Sequence, residues 1–268
     1  MIGNVREPGE GEILAAWHGA GLPCARPLTW GYVQVRAAST GAPATSTASY
    51  VVTALVAGRK LPRPRDFDDC VGQALELVDL IRPFHLADVR VSRARPWSDR
   101  LAPHLNEILP LLETHGLPEP DRWRAKLDRL SRTGRVLVHG DPAGSNVLRT
   151  DRGLVLLDPP GAVVALPEAD VAQICCQVAR ADGVGELIPL VAERHPRLDP
   201  SAVAGFAGLN LLVWAGYVVA EHANPDVARA GASASGSVPP PAGRDAGIEK
   251  AERYLHTART LLDQYPPA

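Results

Sequence analysis

The chain has 268 residues, a formal charge of −2 and an apolar share of 46%, enough to bury a core as one large domain or two small ones. The near-neutral balance leaves no basic footprint, so neither nucleic acid nor a membrane is an expected partner. The four cysteines (Cys24, Cys70, Cys175, Cys176) form no C-x-x-C pair, which argues against a zinc site and for buried, reduced thiols in a cytoplasmic protein.

The opening MIGNVREPGEGE has no apolar core and no cleavage pattern, so it does not read as a signal peptide. Residues 10–20 read as a helix, with Ile13, Leu14 and Trp17 on one face and Gly19, Gly21 and Pro23 ending it. Two strands are expected at Tyr32–Val35 and Tyr50–Leu55, with the small-residue stretch ASTGAPATSTAS as a loop between them. Val51, Val52, Leu55 and Val56 look like a nearly continuous buried strand. Helical spacing follows over 66–86, where Asp66 or Asp68 can cap the start, then over 98–113 and 119–131. Trp97, Trp123 and Trp214 are read as helix-packing residues.

The texture then changes. RVLV at Arg135–Val138 is a short strand, HGDPAGSN a polar turn, and Val147–Leu148 a second strand. TDRG supplies hairpin chemistry, and Leu154–Leu157 returns to Asp158-Pro159-Pro160-Gly161. Further helices are expected at 168–181, 184–194, 200–222 and 245–265. The apolar run 207–220 carries Asn210 and is too short to span a bilayer comfortably, so it reads as a buried helix. A low-complexity segment over 228–244 is expected to be a disordered loop.

Phosphoryl transfer to an alcohol needs a carboxylate at the hydroxyl, oxygen ligands for magnesium, and a rigid frame for both. The segment VHGDPAGSNVL followed by LVLLDPPG can supply them. Asp141 is the base candidate. Asn146, five residues on, and Asp158, twelve beyond that, are the candidate metal ligands, brought together by the hairpin. His139 is expected to brace the turn. Singly these are ordinary turn residues; the joint spacing is what carries the signal.

On these residues the chain resembles the aminoglycoside phosphotransferase group, with its H-G-D-x-x-x-x-N loop. The closer likeness is to the streptomycin 6-phosphotransferase and hydroxyurea phosphotransferase branch, carried by Asp158-Pro159-Pro160-Gly161 and by Glu10 followed by Trp17-His18-Gly19-Ala20-Gly21. The resemblance implies an α+β, protein-kinase-like fold with a reduced N-terminal lobe and a mainly helical C-terminal lobe, divided as 1–60 and 61–268. It implies ATP and Mg2+ as cofactors and a small-molecule hydroxyl acceptor of aminoglycoside or hydroxyurea type, in antibiotic resistance or secondary metabolism. By the same resemblance Glu10 serves the nucleotide site, Thr53, Leu55 and Val56 flank adenine at the hinge, and Asp170 in EADVA is a structural support. The late helices would line the acceptor cleft, where Glu221 and Asp226 could hold a cationic group.

Two departures stand out. Pro160 occupies the position where the branch has Lys. The nine residues before Glu10 are too few for the family's glycine-rich hairpin and strand lysine; the first lysine is Lys60, beyond the hinge. A second expectation follows: a shortened, catalytically silent relative that binds a small molecule or a protein.

Overall fold

The computed structural model describes residues 9–36, 45–92, 94–114, 120–131, 136–159, 162–195, 197–223 and 244–265. Helix α1 (Glu10–Gly19) opens it, with Glu10 and Glu12 in the first turn, where the helix dipole favours acids. Its buried face, Ile13, Leu14 and Trp17, follows the spacing read from the sequence. Strands β1 (Pro27–Arg36) and β2 (Thr45–Thr53) form an antiparallel ribbon in which Gly31 faces Tyr50 and Trp30 faces Val51. The ribbon lies directly on α1: a Cβ added at Gly11 would sit 2.1 Å from Trp30 Cβ.

Two expectations fail in this ribbon. Residues 45–49, read as loop, are strand. The run expected as a buried strand is open in part: Val52 is 48% and Leu55 97% exposed, while Val51 packs against the core and Val56 is half-buried. Among the described residues the ribbon has only two strands, and α1 is the helix packed on it. An apolar run reports what a strand can bury, not what is present to bury it.

Strands β3 (Arg59–Lys60), β5 (Val147–Thr150) and β6 (Gly153–Leu156) make one antiparallel sheet. Strands β4 (Val136–Val138) and β7 (Val163–Ala165) make another; β7 is too short to have shown in the sequence. Leu156 is also tied to the turn after α1, donating its N–H to Pro23 O at 2.9 Å and accepting from Ala25 N at 2.9 Å. That bond pair joins the N-terminal unit to the hairpin that ends in Asp158.

The helices are α2 (Phe67–Leu86), α3 (Trp97–Glu113), α4 (Pro120–Ser131), α5 (Glu168–Val178), α6 (Arg180–Arg194), α7 (Pro200–Ala223) and α8 (Arg244–Gln264). Asp66 caps α2, its Oδ1 accepting from Asp69 N at 2.9 Å. Of the segment 228–244, all but Arg244 lies outside the described residues, and Arg244 begins α8. Helix α7 is long and apolar enough to cross a membrane, but 83% of its apolar window is buried inside the protein, as in a central core helix. It packs against α3, α5 and α8. The tryptophans do pack: Trp97 sits edge-on to Phe206 at 4.5 Å, Trp123 is buried, and Trp214 leans on Tyr254 at 5.9 Å. All four cysteines are free thiols; burial pushes Cys24 up to about 11 and Cys175 up to about 12.

Close helix packing depends on glycine at α7. A Cβ at Gly216 would approach Ile108 of α3 to 2.6 Å. Gly216→Ala is therefore expected to overpack this crossing and to cost about 1–3 kcal/mol in denaturant unfolding. An unchanged midpoint would contradict the close approach.

Candidate active site

One face of α5 addresses the turn after β4. Asp170, Gln173 and Gln177 follow i, i+3, i+7 spacing and so lie on the same side of the helix. Asp170 is 1% exposed. Its Oδ2 accepts the His139 N–H at 2.9 Å and its Oδ1 the Gly140 N–H at 2.7 Å. His85, at the end of α2, adds Nε2 at 3.0 Å from Oδ2. A buried carboxylate is tolerated only when its lone pairs are met in this way. Burial alone would push this carboxyl up; the His85 bond, His139 and the backbone donor hold it below the usual carboxylate range. Gly140 adopts φ 79°, a left-handed conformation that glycine reaches without a Cβ clash, and the chain turns there toward Asp141.

The His139 ring is spoken for at both nitrogens. Nε2 lies 2.7 Å from Leu157 O, and Nδ1 accepts the Asp141 N–H at 3.2 Å. These partners fit the tautomer with its hydrogen on Nε2. The ring stacks on Trp17 at 5.9 Å with 11° between planes, and Trp17 meets Phe84 edge-on at 5.2 Å. Helix α1 is thereby packed onto the turn itself.

Asp141 stands half-buried on this platform. Asn146 Nδ2 donates to its Oδ2 at 2.8 Å and to its backbone carbonyl at 3.0 Å. Gln173 Nε2 donates to its Oδ1 at 3.3 Å, and Gln177 Nε2 donates to the same oxygen. The 3-10 turn Gly144–Asn146 needs Gly144 at φ 59°, and a Cβ there would lie 3.2 Å from Gln177 Oε1. Asn146 O accepts from Leu157 N at 2.8 Å, which holds the turn against the chain that leads into Asp158.

Asp158 is exposed at the end of that return, and Glu10 of α1 is its neighbour. Burial, then the charge of Asp158 and a hydrogen bond to it, push the Glu10 carboxyl up to about 7. The two carboxyl groups crowd each other there, and a cation could offset their charge. With Nδ2 of Asn146 committed to Asp141, its Oδ1 is the atom able to ligate. Amide and carboxylate oxygens are a hard donor set, fitting a magnesium-like ion that draws its remaining ligands from phosphates and water. Among the described residues no group of three or more His, Cys, Asp or Glu could hold an ion alone.

The hinge residues are placed differently. Thr53 ends β2 and is exposed, Leu55 is 97% exposed and Val56 is half-buried; the described residues do not enclose them. Glu221 on α7 faces Lys250 of α8, whose pKa it raises against burial, and Asp226, Pro160 and Gly161 lie outside the described residues. Sequence reasoning missed His85, Gln173, Gln177 and Arg100. The glutamines had a signal, since their spacing from Asp170 puts all three on one helix face. Arg100 of α3 had none. It is half-buried; burial holds its guanidinium below the usual arginine range, while Asp141 and then Tyr217 act in the other direction.

A helical lobe, a small strand-rich unit and a braced Asp–Asn turn facing a second acid define a protein-kinase-like α+β fold of the phosphotransferase class. The model of the phosphotransferase enzyme family matches residues 5–206, and the chain belongs to that family. It is a phosphotransferase with an alcohol group as acceptor. Among solved structures it resembles amicoumacin kinase hAmiN in complex with AMP-PNP, Ca2+ and Ami: TM-score 0.60, 16% identity, 96% of this chain and 77% of that one covered. It also resembles a choline/ethanolamine kinase family protein from Mesorhizobium loti (TM-score 0.55, 19% identity, 95% and 84% covered). A thermostable mutant of aminoglycoside phosphotransferase APH(4)-Ia, in its apo form, gives TM-score 0.55 at 14% identity, with 97% and 84% covered. At these identities the likeness is one of fold. No curated protein matches the sequence.

Asp170→Ala is expected to cost about 3–5 kcal/mol, because it strands buried donors. The Asp170 pKa is depressed in the folded state, so its contribution is full above the unfolded value of about 3.9 and is lost as pH falls through the folded one. The gap between wild-type and Asp170→Ala urea midpoints should hold at pH 6 and shrink below about pH 4. An equal gap at pH 3 and pH 6 would contradict this role.

Proposed function

We propose that this chain transfers the γ-phosphoryl group of ATP to a hydroxyl of a small molecule, with Mg2+ held by Asn146 and Asp158. The observation that supports it best is Asp141. Its carboxylate is held by Asn146, Gln173 and Gln177, on a turn whose backbone is pinned by Asp170. Asp141 orients the acceptor hydroxyl and takes its proton as the new oxygen–phosphorus bond forms and the bond to the β-phosphate oxygen breaks. His139 keeps the turn rigid through Leu157 and Trp17. A magnesium ion would neutralise the charge that develops on the phosphates.

The acceptor belongs to the range covered by the streptomycin and hydroxyurea branch, in the setting of antibiotic inactivation.

A second reading, a silent relative that only binds a small molecule, draws on the Glu10–Asp158 contact. There two acids crowd each other, which raises the Glu10 carboxyl.

Calorimetry with ATP and Mg2+ separates the two. The proposal expects micromolar binding that Asp158→Ala abolishes. It also expects Asp141→Ala to lose about 100-fold or more in turnover while melting as the wild type does. No binding at millimolar ATP would favour the silent relative, and retained turnover in Asp141→Ala would remove the mechanism.

A further inference from the structure

A carboxylate offers about four lone-pair positions, two on each oxygen. At Asp141 three are occupied by side-chain amides: Gln173 and Gln177 on Oδ1, and Asn146 on Oδ2. The remaining position is on Oδ2, next to Asn146. We infer that Gln173 and Gln177 are positioning residues for the transfer reaction: they fill Oδ1 of Asp141, so that an acceptor hydroxyl can be received only on Oδ2, beside the Asn146 that would hold the metal. This inference rests on the phosphotransferase reading above.

Three features support a built device rather than a chance contact. Both glutamines lie on the same face of α5 as Asp170, so one rigid helix sets the backbone of the turn and the rotation of its carboxylate together. The Gln177 side chain is hemmed in by Gly144, where even a methyl group would crowd Oε1 at 3.2 Å. Both side chains are half-buried, which limits competition from water. The consequence is a choice among hydroxyls. A molecule with several must bring one of them to a single lone pair, and water is denied the other oxygen.

Water can therefore serve as the probe acceptor. In hydrolysis its oxygen bonds to the γ-phosphorus, the bond to the β-phosphate oxygen breaks, ADP leaves, and the proton goes to Asp141. Acceptor-free hydrolysis of MgATP is measured for the full chain, for Gln177→Met and for Gln173→Met/Gln177→Met, with calorimetric ATP affinity alongside. Methionine keeps the side-chain length and removes the donor. The inference expects hydrolysis to rise at least threefold in the double variant at unchanged ATP affinity, since Oδ1 is opened to water. Unchanged or reduced hydrolysis with ATP still bound would overturn it.

Melting of Asp141→Ala, Gln177→Met and their combination tests the contact without any nucleotide. Non-additive shifts are expected, and additive shifts overturn the clamp. If the wild type binds no ATP, the ATP reading fails by itself, and the melting cycle still decides whether the glutamines hold Asp141.

Discussion

The site hangs on one buried carboxylate. Asp170 gathers two successive backbone N–H groups of the turn, His139 and Gly140, and a ring nitrogen of His85. Those amides lie just past Val138, the last paired residue of β4. Left unmet at this depth, each would cost about 1–3 kcal/mol. The carboxylate itself could not stay charged at 1% exposure without them. The exchange is mutual, and it fixes the position from which Asp141 projects.

Everything else in the site is arranged around that bond set. Helix α5 continues past Asp170 to Gln173 and Gln177, which reach the Asp141 side chain. Helix α2 delivers His85. Helix α1 is joined to the same turn through Trp17, stacked on His139, and through the bonds between Leu156 and residues 23–25. The helix carrying Glu10 and the hairpin carrying Asp158 are thus both registered against the turn. The Glu10–Asp158 contact follows from that registration.

The elements legible in the sequence were those with strong periodicity or strong punctuation. The face of α1, the extent of α2 with its Asp66 cap, and the strand–turn–hairpin run from 136 to 158 all lie close to where residue types put them. The spacing of His139, Asp141, Asn146 and Asp158 was readable because turn chemistry is local. Burial of β2 was not. Val52 and Leu55 are open because burial depends on what lies across from a strand, and period says nothing of that. Strand β7 escaped because three residues carry too little pattern. His85 and Arg100 escaped because their partners are 85 and 41 residues away in the chain, and a contact at that range leaves no trace in local spacing.

The central claim is that Asp170 holds the turn at His139 and Gly140 as firmly as it holds its own helix. Amide hydrogen exchange at these two residues tests it directly. Exchange as slow as that of the buried α5 amides Val171 and Ile174 is the predicted result. Exchange at the rate of exposed loop amides, with α5 still protected, would contradict it: the turn would then open independently of Asp170.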